Sequence, residues 1–406
     1  MDDKGIVNTN KKSVLFDYQL NKTPKSSWSA DIRKAAFQSY TQLSWPTPTD
    51  EQWRRTDITQ VDIPGYNPFA IDGAHEIDVP DSVHALSLDN IMMRDTALFQ
   101  STAVPLIRKR VETATDIFEV YNLSFFNAGY FIYIPENATI QNEITIRYNF
   151  LGTHALASPH TIIIAGKNSS TDITIEHSIN NNNVYIHGLT VFLHENAQCR
   201  VNIVQNISKA SYFFSTGKVS LSSNAVLEYF EAHTGGSIAK TMLDAALDGS
   251  GSDAWLRGIY FGTGSQHFDL GTIQHHNANN AHSRSYYKGA ASGTARTVYQ
   301  GLIEVAEHAK KTDAYLTNKN LILGNTARSD SIPSLKIRNN DVRCSHGSTT
   351  GKLNKNQLFY LMSRGLSEKE SEQILVQAFF EDVFSHVSGG TADKLRKIIR
   401  EKISDV

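Results

Sequence analysis

Of the two cysteines in this 406-residue chain, Cys344 stands two positions before a histidine, in DVRCSHGSTTGKL at residues 341–353. On an extended segment, residues i and i+2 project from one face. The Cys344 thiol and His346 imidazole could therefore bind one metal, or the histidine could depress the thiol pKa. A closed structural zinc site needs a full tetrahedral set of such ligands. The chain has no second Cys-x-His and no Cys-x-x-Cys. Two accounts remain: half of a site completed by another polypeptide, or a small packed thiol beside a hydrogen-bonded histidine.

The same stretch approaches a phosphate-binding loop. Gly347-Ser-Thr-Thr-Gly351-Lys352-Leu353 is one residue short of G-x-x-x-x-G-K-[ST], with Leu353 where a magnesium-binding hydroxyl belongs. So short a loop cannot curl its amides round a phosphate, and no nucleotide is expected on this chain. A second histidine group, HFDLGTIQHHNANNAHS, holds His267, Asp269, His275, His276 and His282. Adjacent His275 and His276 would point to opposite faces of a strand, which favours polar edge residues over a metal site. The strand carboxylates, such as Glu176 and Glu228, are too scattered for the paired acids of a polysaccharide-cleaving solenoid.

These residues sit in a mainly β stretch. From near Phe118 to about Val342 run short β-branched segments, among them YFIYIP, HTIIIAG, DITIEHSI and CRVNIVQNI, separated by polar breaks. The breaks ENAT, KNSS, ENAQ and SNAV begin at Glu136, Lys167, Glu195 and Ser223, and GSDA at Gly251 continues the series. A repeat of about 30 residues with two or three strands and no helix suits one coil of a β-solenoid, ahead of a β-sandwich of regular hairpins. In DITIE, Ile173 and Ile175 would face the core, and Asp172, Thr174 and Glu176 would face out.

The flanks read as helical. Ile32, Ala35, Ala36, Tyr40 and Leu43 give a helical spacing between Trp28 and Trp45, Thr49 or Asp50 could cap the next turn, and Ile91 to Gln100 forms a second candidate. After Leu353, Asn354 can open a helix that Gly365 ends, and SEKE at Ser367–Glu370 is a capping box. The helix it opens is apolar over more than the roughly 100° stripe that one core face needs, so a second buried face is implied. Thr391 is placed to cap a last helix. The expected division is an N-terminal helical region at 1–115, a β-helix core at 116–350 and a C-terminal helical domain at 351–406.

A net charge of -2 argues against a nucleic-acid binder, and no apolar run is long enough to cross a membrane. The first twenty residues lack an apolar signal core, and two cysteines make no disulfide framework. The expectation is a reducing, cytoplasmic setting.

NLILGNTARSDSIPSLKIRNNDVRCSHGSTTGKLNKNQLFYLMSRGLSEKESEQILVQAFFEDV resembles the C-terminal signature of the SufB/SufD family of iron-sulfur cluster assembly proteins. The likeness continues upstream through HSRSYYKGAASGTARTVYQGLIEVAEHAKKTDAYLTNKN, FEVYNLSFFNAGYFIYIP and EQWRRTD. The D-type is nearer. CSHG stands intact, with Ser348 for the usual alanine, whereas B-type proteins carry an acidic residue at the place of Gly347 and a functional cysteine near that of Asn318. Lys336 departs from the glutamate often found there.

The resemblance implies a right-handed parallel β-helix between helical ends, in a scaffold subunit rather than an enzyme. It implies pairing with SufB through the β-helix and docking of the SufC ATPase on the C-terminal helices, with Leu358, Phe359, Tyr360, Arg364, Phe379, Phe380 and Phe384 as candidate contacts. It also implies a transient iron-sulfur cluster shared with SufB, with His346 and Cys344 as candidate ligands and His346 the candidate metal ligand. Exposed solenoid edges could pair two copies of the isolated chain. The competing reading is an independent metal-binding or carbohydrate-active β-solenoid enzyme.

Overall fold

A computed structural model describes residues 28–67, 75–88, 90–91, 96–178 and 181–404. The polar breaks of the sequence are its corners. Asn137, Asn168, Asn196 and Asn224 adopt φ between 56° and 59°, a left-handed conformation that asparagine tolerates better than most side chains. Their amides stack: Asn168 Nδ2 donates to Asn137 Oδ1 at 2.8 Å, Asn196 to Asn168 at 2.9 Å and Asn224 to Asn196 at 3.2 Å. At the next coil Gly251 takes the corner with φ 73°, and a Cβ there would lie 2.4 Å from Asn224 Oδ1, so the row ends.

Between the corners the strands stack in two sheets. One runs through Ile144–Asn149, Ser170–Ser178, Gln198–Gln205, Val226–His233, Asp253–Gly262, His282–Ser292 and Thr312–Leu323 to Val342–Lys352. The other runs through Ala128–Ile134, Pro159–Ala165, Val184–Leu193, Tyr212–Leu221, Ile238–Leu247, His267–His276 and Arg296–Val305 to Arg328–Ile337. Every pairing in both series is parallel, so the chain is a β-solenoid and not a sandwich. At the first coil the strands His75–Asp78 and His84–Ser87 lie antiparallel along the two sheets. Inward side chains such as Ile146, Ile173, Ile175, Leu227 and Leu256 are fully buried, each stabilising the stack by about 1.5–3 kcal/mol.

The outer faces are dressed by helices. Helices α1 (Trp28–Gln42), α2 (Ala97–Thr113) and α3 (Ile117–Phe125) pack on the second sheet, where Trp28, Phe99 and Ile107 meet Phe131, Ile162 and Ile164. Arg110 of α2 is buried and pairs with Glu119 at 2.8 Å, while its other nitrogens donate to Leu189 O, Thr190 and Thr216. Past α4 (Lys355–Ser363), the hairpin of α5 (Glu368–Phe384) and α6 (Gly389–Ser404) folds back over the first sheet, towards Glu143 and Glu176. Thr174, expected outside, is buried on this covered face. No helix of the described residues is long and apolar enough to cross a membrane.

Several local expectations are corrected. Phe118–Phe125 is not strand but α3, capped by Asp116, which accepts from Phe118 N and Glu119 N. All nine of its residues are buried, and such a run has no periodicity to tell helix from strand. Of the helix expected over Ile91–Gln100, Ile91 is helical and a helix capped by Thr96 runs from Ala97 through Pro105 to Thr113; residues 92–95 lie outside the described residues, as do the first twenty. The Asp50 carboxylate accepts from Thr47 N rather than capping Glu51–Trp53. Helix α6 begins at Gly389, and Ser388 Oγ, not Thr391, accepts the first-turn amide. Asn354 and the Ser367/Glu370 box cap α4 and α5, and Gly365 turns between them at φ 95°.

Candidate functional site

The candidate site lies at the open mouth of the solenoid, formed by its last two described strands. Strand Val342–Lys352 pairs with Thr312–Leu323 so that Cys344 lies opposite Ala314, His346 opposite Leu316, Ser348 opposite Asn318 and Thr350 opposite Asn320. All four partners are buried lumen residues. Cys344 and His346 thus occupy core positions, yet no described strand stacks beyond them, and His346 is exposed while Cys344 is half-buried. Opposite them, Leu335 and Ile337 continue the buried Ile303 and Val305 and remain 36% and 38% exposed. Partial burial, with Asp313 nearby, pushes the Cys344 thiol above its ordinary pKa. A thiol held protonated must shed its proton before it can bind metal, which makes the His346 nitrogen the readier donor.

Below the mouth the lumen turns polar, a feature the sequence reading missed. Asn318 Nδ2 donates to Tyr260 Oη at 2.9 Å, Tyr260 to Asn320 Oδ1 at 2.7 Å, and Tyr287 Oη to the buried Glu231 at 2.7 Å. The signal was the alternation Gly258-x-Tyr260 and Tyr287-x-Gly289. Each tyrosine ring lies over the glycine paired with it on the neighbouring strand, Tyr260 over Gly289 and Tyr287 over Gly258, and a Cβ at either glycine would come within 2.2 Å of the ring.

Among the described residues, no group of three or more His, Cys, Asp or Glu side chains could hold a metal ion. Cys344 and His346 form an incomplete ligand pair. In the second histidine group, His267 bonds Thr56, the inward His276 bonds Ser283, and the outward His275 lies 3.1 Å from Asp244 and 3.4 Å from Glu304. Gly347 to Lys352 is continuous strand, so no phosphate cradle forms. Lys336, the residue that departs from the D-type pattern, pairs with Glu304 at 2.6 Å.

The candidate docking residues divide. On α4 no residue is buried: Phe359 is 73% and Tyr360 56% exposed, Leu358 is half-buried, and exposed Arg364 holds its guanidinium 5.2 Å from the Tyr360 ring. Phe380 and Phe384, by contrast, are interior residues, packed with Val383 and Leu395 against Phe230, Ile259 and Phe261 of the solenoid. The second apolar face of α5 is the one this chain uses itself, so these two rings are not contacts for a partner. Phe379 is half-buried beneath the Lys288 ammonium, 4.7 Å from its ring.

Residues 149–379 match the family model described as "SUF system FeS cluster assembly, SufBD core domain". An "Iron-sulfur cluster assembly SufBD family protein" of Staphylococcus epidermidis is 23% identical over 413 residues, covering 95% of this chain and 88% of its own. A protein of the same description in Mycobacterium leprae is 27% identical over 282 residues, 68% of this chain and 71% of its own. The "Iron-sulfur cluster assembly protein SufD" of Escherichia coli is 34% identical over 169 residues, 42% of this chain and 40% of its own. The family match covers more than half of the chain: it belongs to the SufBD family of iron-sulfur cluster assembly proteins.

Proposed function

We propose that this chain is the D-type subunit of an iron-sulfur assembly scaffold, pairing through its solenoid mouth with a SufB-type chain and docking a SufC-type ATPase on α4. The observation that carries the reading is the placement of Cys344 and His346 at core positions of a coil that no further described coil covers. Unpaired backbone groups, apolar side chains and two ligand atoms meet there, and a second solenoid end seated on the mouth would satisfy all three. The nascent cluster is the cargo of this junction. His346 offers it a nitrogen, and Cys344 contributes only after losing its proton. The exposed rings of α4 suit a docking surface. ATP is hydrolysed by the partner, and its movement, applied to α4, opens and closes the junction. The chain has no turnover alone.

The test is to co-express the chain with SufB- and SufC-type partners and to measure iron and sulfide in the purified complex. His346→Ala is expected to cut cluster yield several-fold while size-exclusion shows an intact complex, and Cys344→Ala to cut it less. Undiminished yield in His346→Ala removes the ligand role. Stoichiometric metal or turnover in the isolated chain would favour the independent metalloenzyme instead.

A further inference from the structure

Where the last coil meets the C-terminal helices there is a groove of about 470 Å³, built from the ends of the strands Thr312–Leu323 and Val342–Lys352 and from α4, α5 and α6. Its floor is apolar, with Leu323, Leu353, Leu358, Val376 and Ile403. Its rim is cationic, with Lys352, Lys355 and Lys369 against the single carboxylate of Glu372. Lys352 Nζ donates to Asn325 Oδ1 at 2.8 Å and Lys369 Nζ to Ser404 O at 3.3 Å. Among the described residues, none of the three ammonium groups pairs with a carboxylate. At the mouth of the groove Gly324, with φ 98°, has nothing within 4 Å of where a Cβ would be, so the approach is open.

A nine-residue helix without a buried side chain cannot hold its shape by propensity alone, and α4 forms one wall of this groove. An occupant that covered both would bury the floor and Leu358 together. We infer that the groove receives an acidic amphipathic segment of a partner protein, its apolar side chain on the Leu353–Val376 floor and its carboxylates against Lys352, Lys355 and Lys369. Three cations facing one anion set the sign of the segment. The floor sets its apolar anchor, a residue in a pocket ringed by polar groups being the usual form of a protein contact. Nucleic acid is a poorer match, because no aromatic ring lines the groove for a base to stack on. The inference rests on the reading of α4 as the ATPase-docking surface and deepens it by giving the chemistry of the docked segment.

The experiment uses the full chain and the SufC-type ATPase, with affinity measured at low and high salt. Reversing the rim with Lys352→Glu, Lys355→Glu and Lys369→Glu together is expected to weaken binding roughly tenfold at low salt, and to flatten its salt dependence. The comparator is Phe359→Ala with Tyr360→Ala, which tests α4 itself. If the ring pair abolishes binding while the lysine reversal leaves it unchanged, this inference falls and the docking reading stands; if neither set has an effect, both fall. A photo-reactive residue in place of Leu358 should cross-link to an acidic stretch of the ATPase, and a cross-link to a basic stretch or to a second copy of this chain overturns the inference. Should the triple reversal impair folding, judged by its melting temperature, Lys→Gln at the same positions gives the same reading with a smaller effect.

Discussion

At its first coil the solenoid carries an antiparallel strand along each sheet, and Ile132, Ile134, Ile144 and Ile146 beneath them have no exposed surface. At its last coil, strands 328–337 and 342–352 keep the same inward and outward alternation, yet Leu335, Ile337 and His346 stand in solvent. The difference lies in what stacks next, not in the strands. One end is finished by its own chain, whereas no described strand stacks on the other. Unfinished parallel edges are a hazard in a solenoid unless a partner claims them.

The largest effect should come from the closed half. Arg110→Ala leaves Glu119 buried without its cation, and is expected to cost about 3–5 kcal/mol in denaturant unfolding. Next, Ile146→Ala at the closed end should cost about 2–5 kcal/mol, whereas Ile337→Ala at the open end should cost under about 1 kcal/mol in the isolated chain. Equal costs would erase the contrast between the ends. Third, amides of strands 328–337 and 342–352 should exchange hydrogen faster than those of 144–149 in the isolated chain, and slow when a SufB-type partner is added.

A pH titration probes the interior between the ends. Burial holds His160 and His177 far below the ordinary histidine pKa, and His187 is pushed down to about 3. The unfolded chain takes up protons as pH falls through about 6.5 while these folded rings do not. Stability should therefore be full above that pH and be lost as pH falls towards 3. Melting temperatures from pH 8 to 5 measure this, and His187→Gln should flatten the slope. The smallest effect is expected for Lys336→Glu, which sets two carboxylates together on the half-exposed face of the last coil, at about 1 kcal/mol or less.

The solenoid was legible because its corners are chemically marked. The asparagines of ENAT, KNSS, ENAQ and SNAV are the left-handed residues themselves, and alternation within DITIE placed Ile173 and Ile175 correctly. Helix α3 was not legible, since a segment buried on every side shows no period. Phe380 and Phe384 were misassigned for a related reason: apolarity says that a face is covered, not by which chain. The pairing of Cys344 with His346 on one face follows from strand geometry, but their position above Ala314 and Leu316 depends on register, which local sequence does not encode. The tyrosine–glycine lumen below them was equally hidden, because a ring filling the place of a missing side chain is a contact between strands about 30 residues apart.

The stacked asparagine amides make the solenoid count in whole coils. Neighbouring corner asparagines are 31, 28 and 28 residues apart, and the strands beside each corner point alternate residues inward. Deleting one residue within a strand would break the amide file and would also turn that strand inside out, sending lysines into the bore and isoleucines to water. Length variation in such a molecule is confined to the bends or must come as an entire added or lost winding, a rule that can be checked by engineering both kinds of deletion side by side.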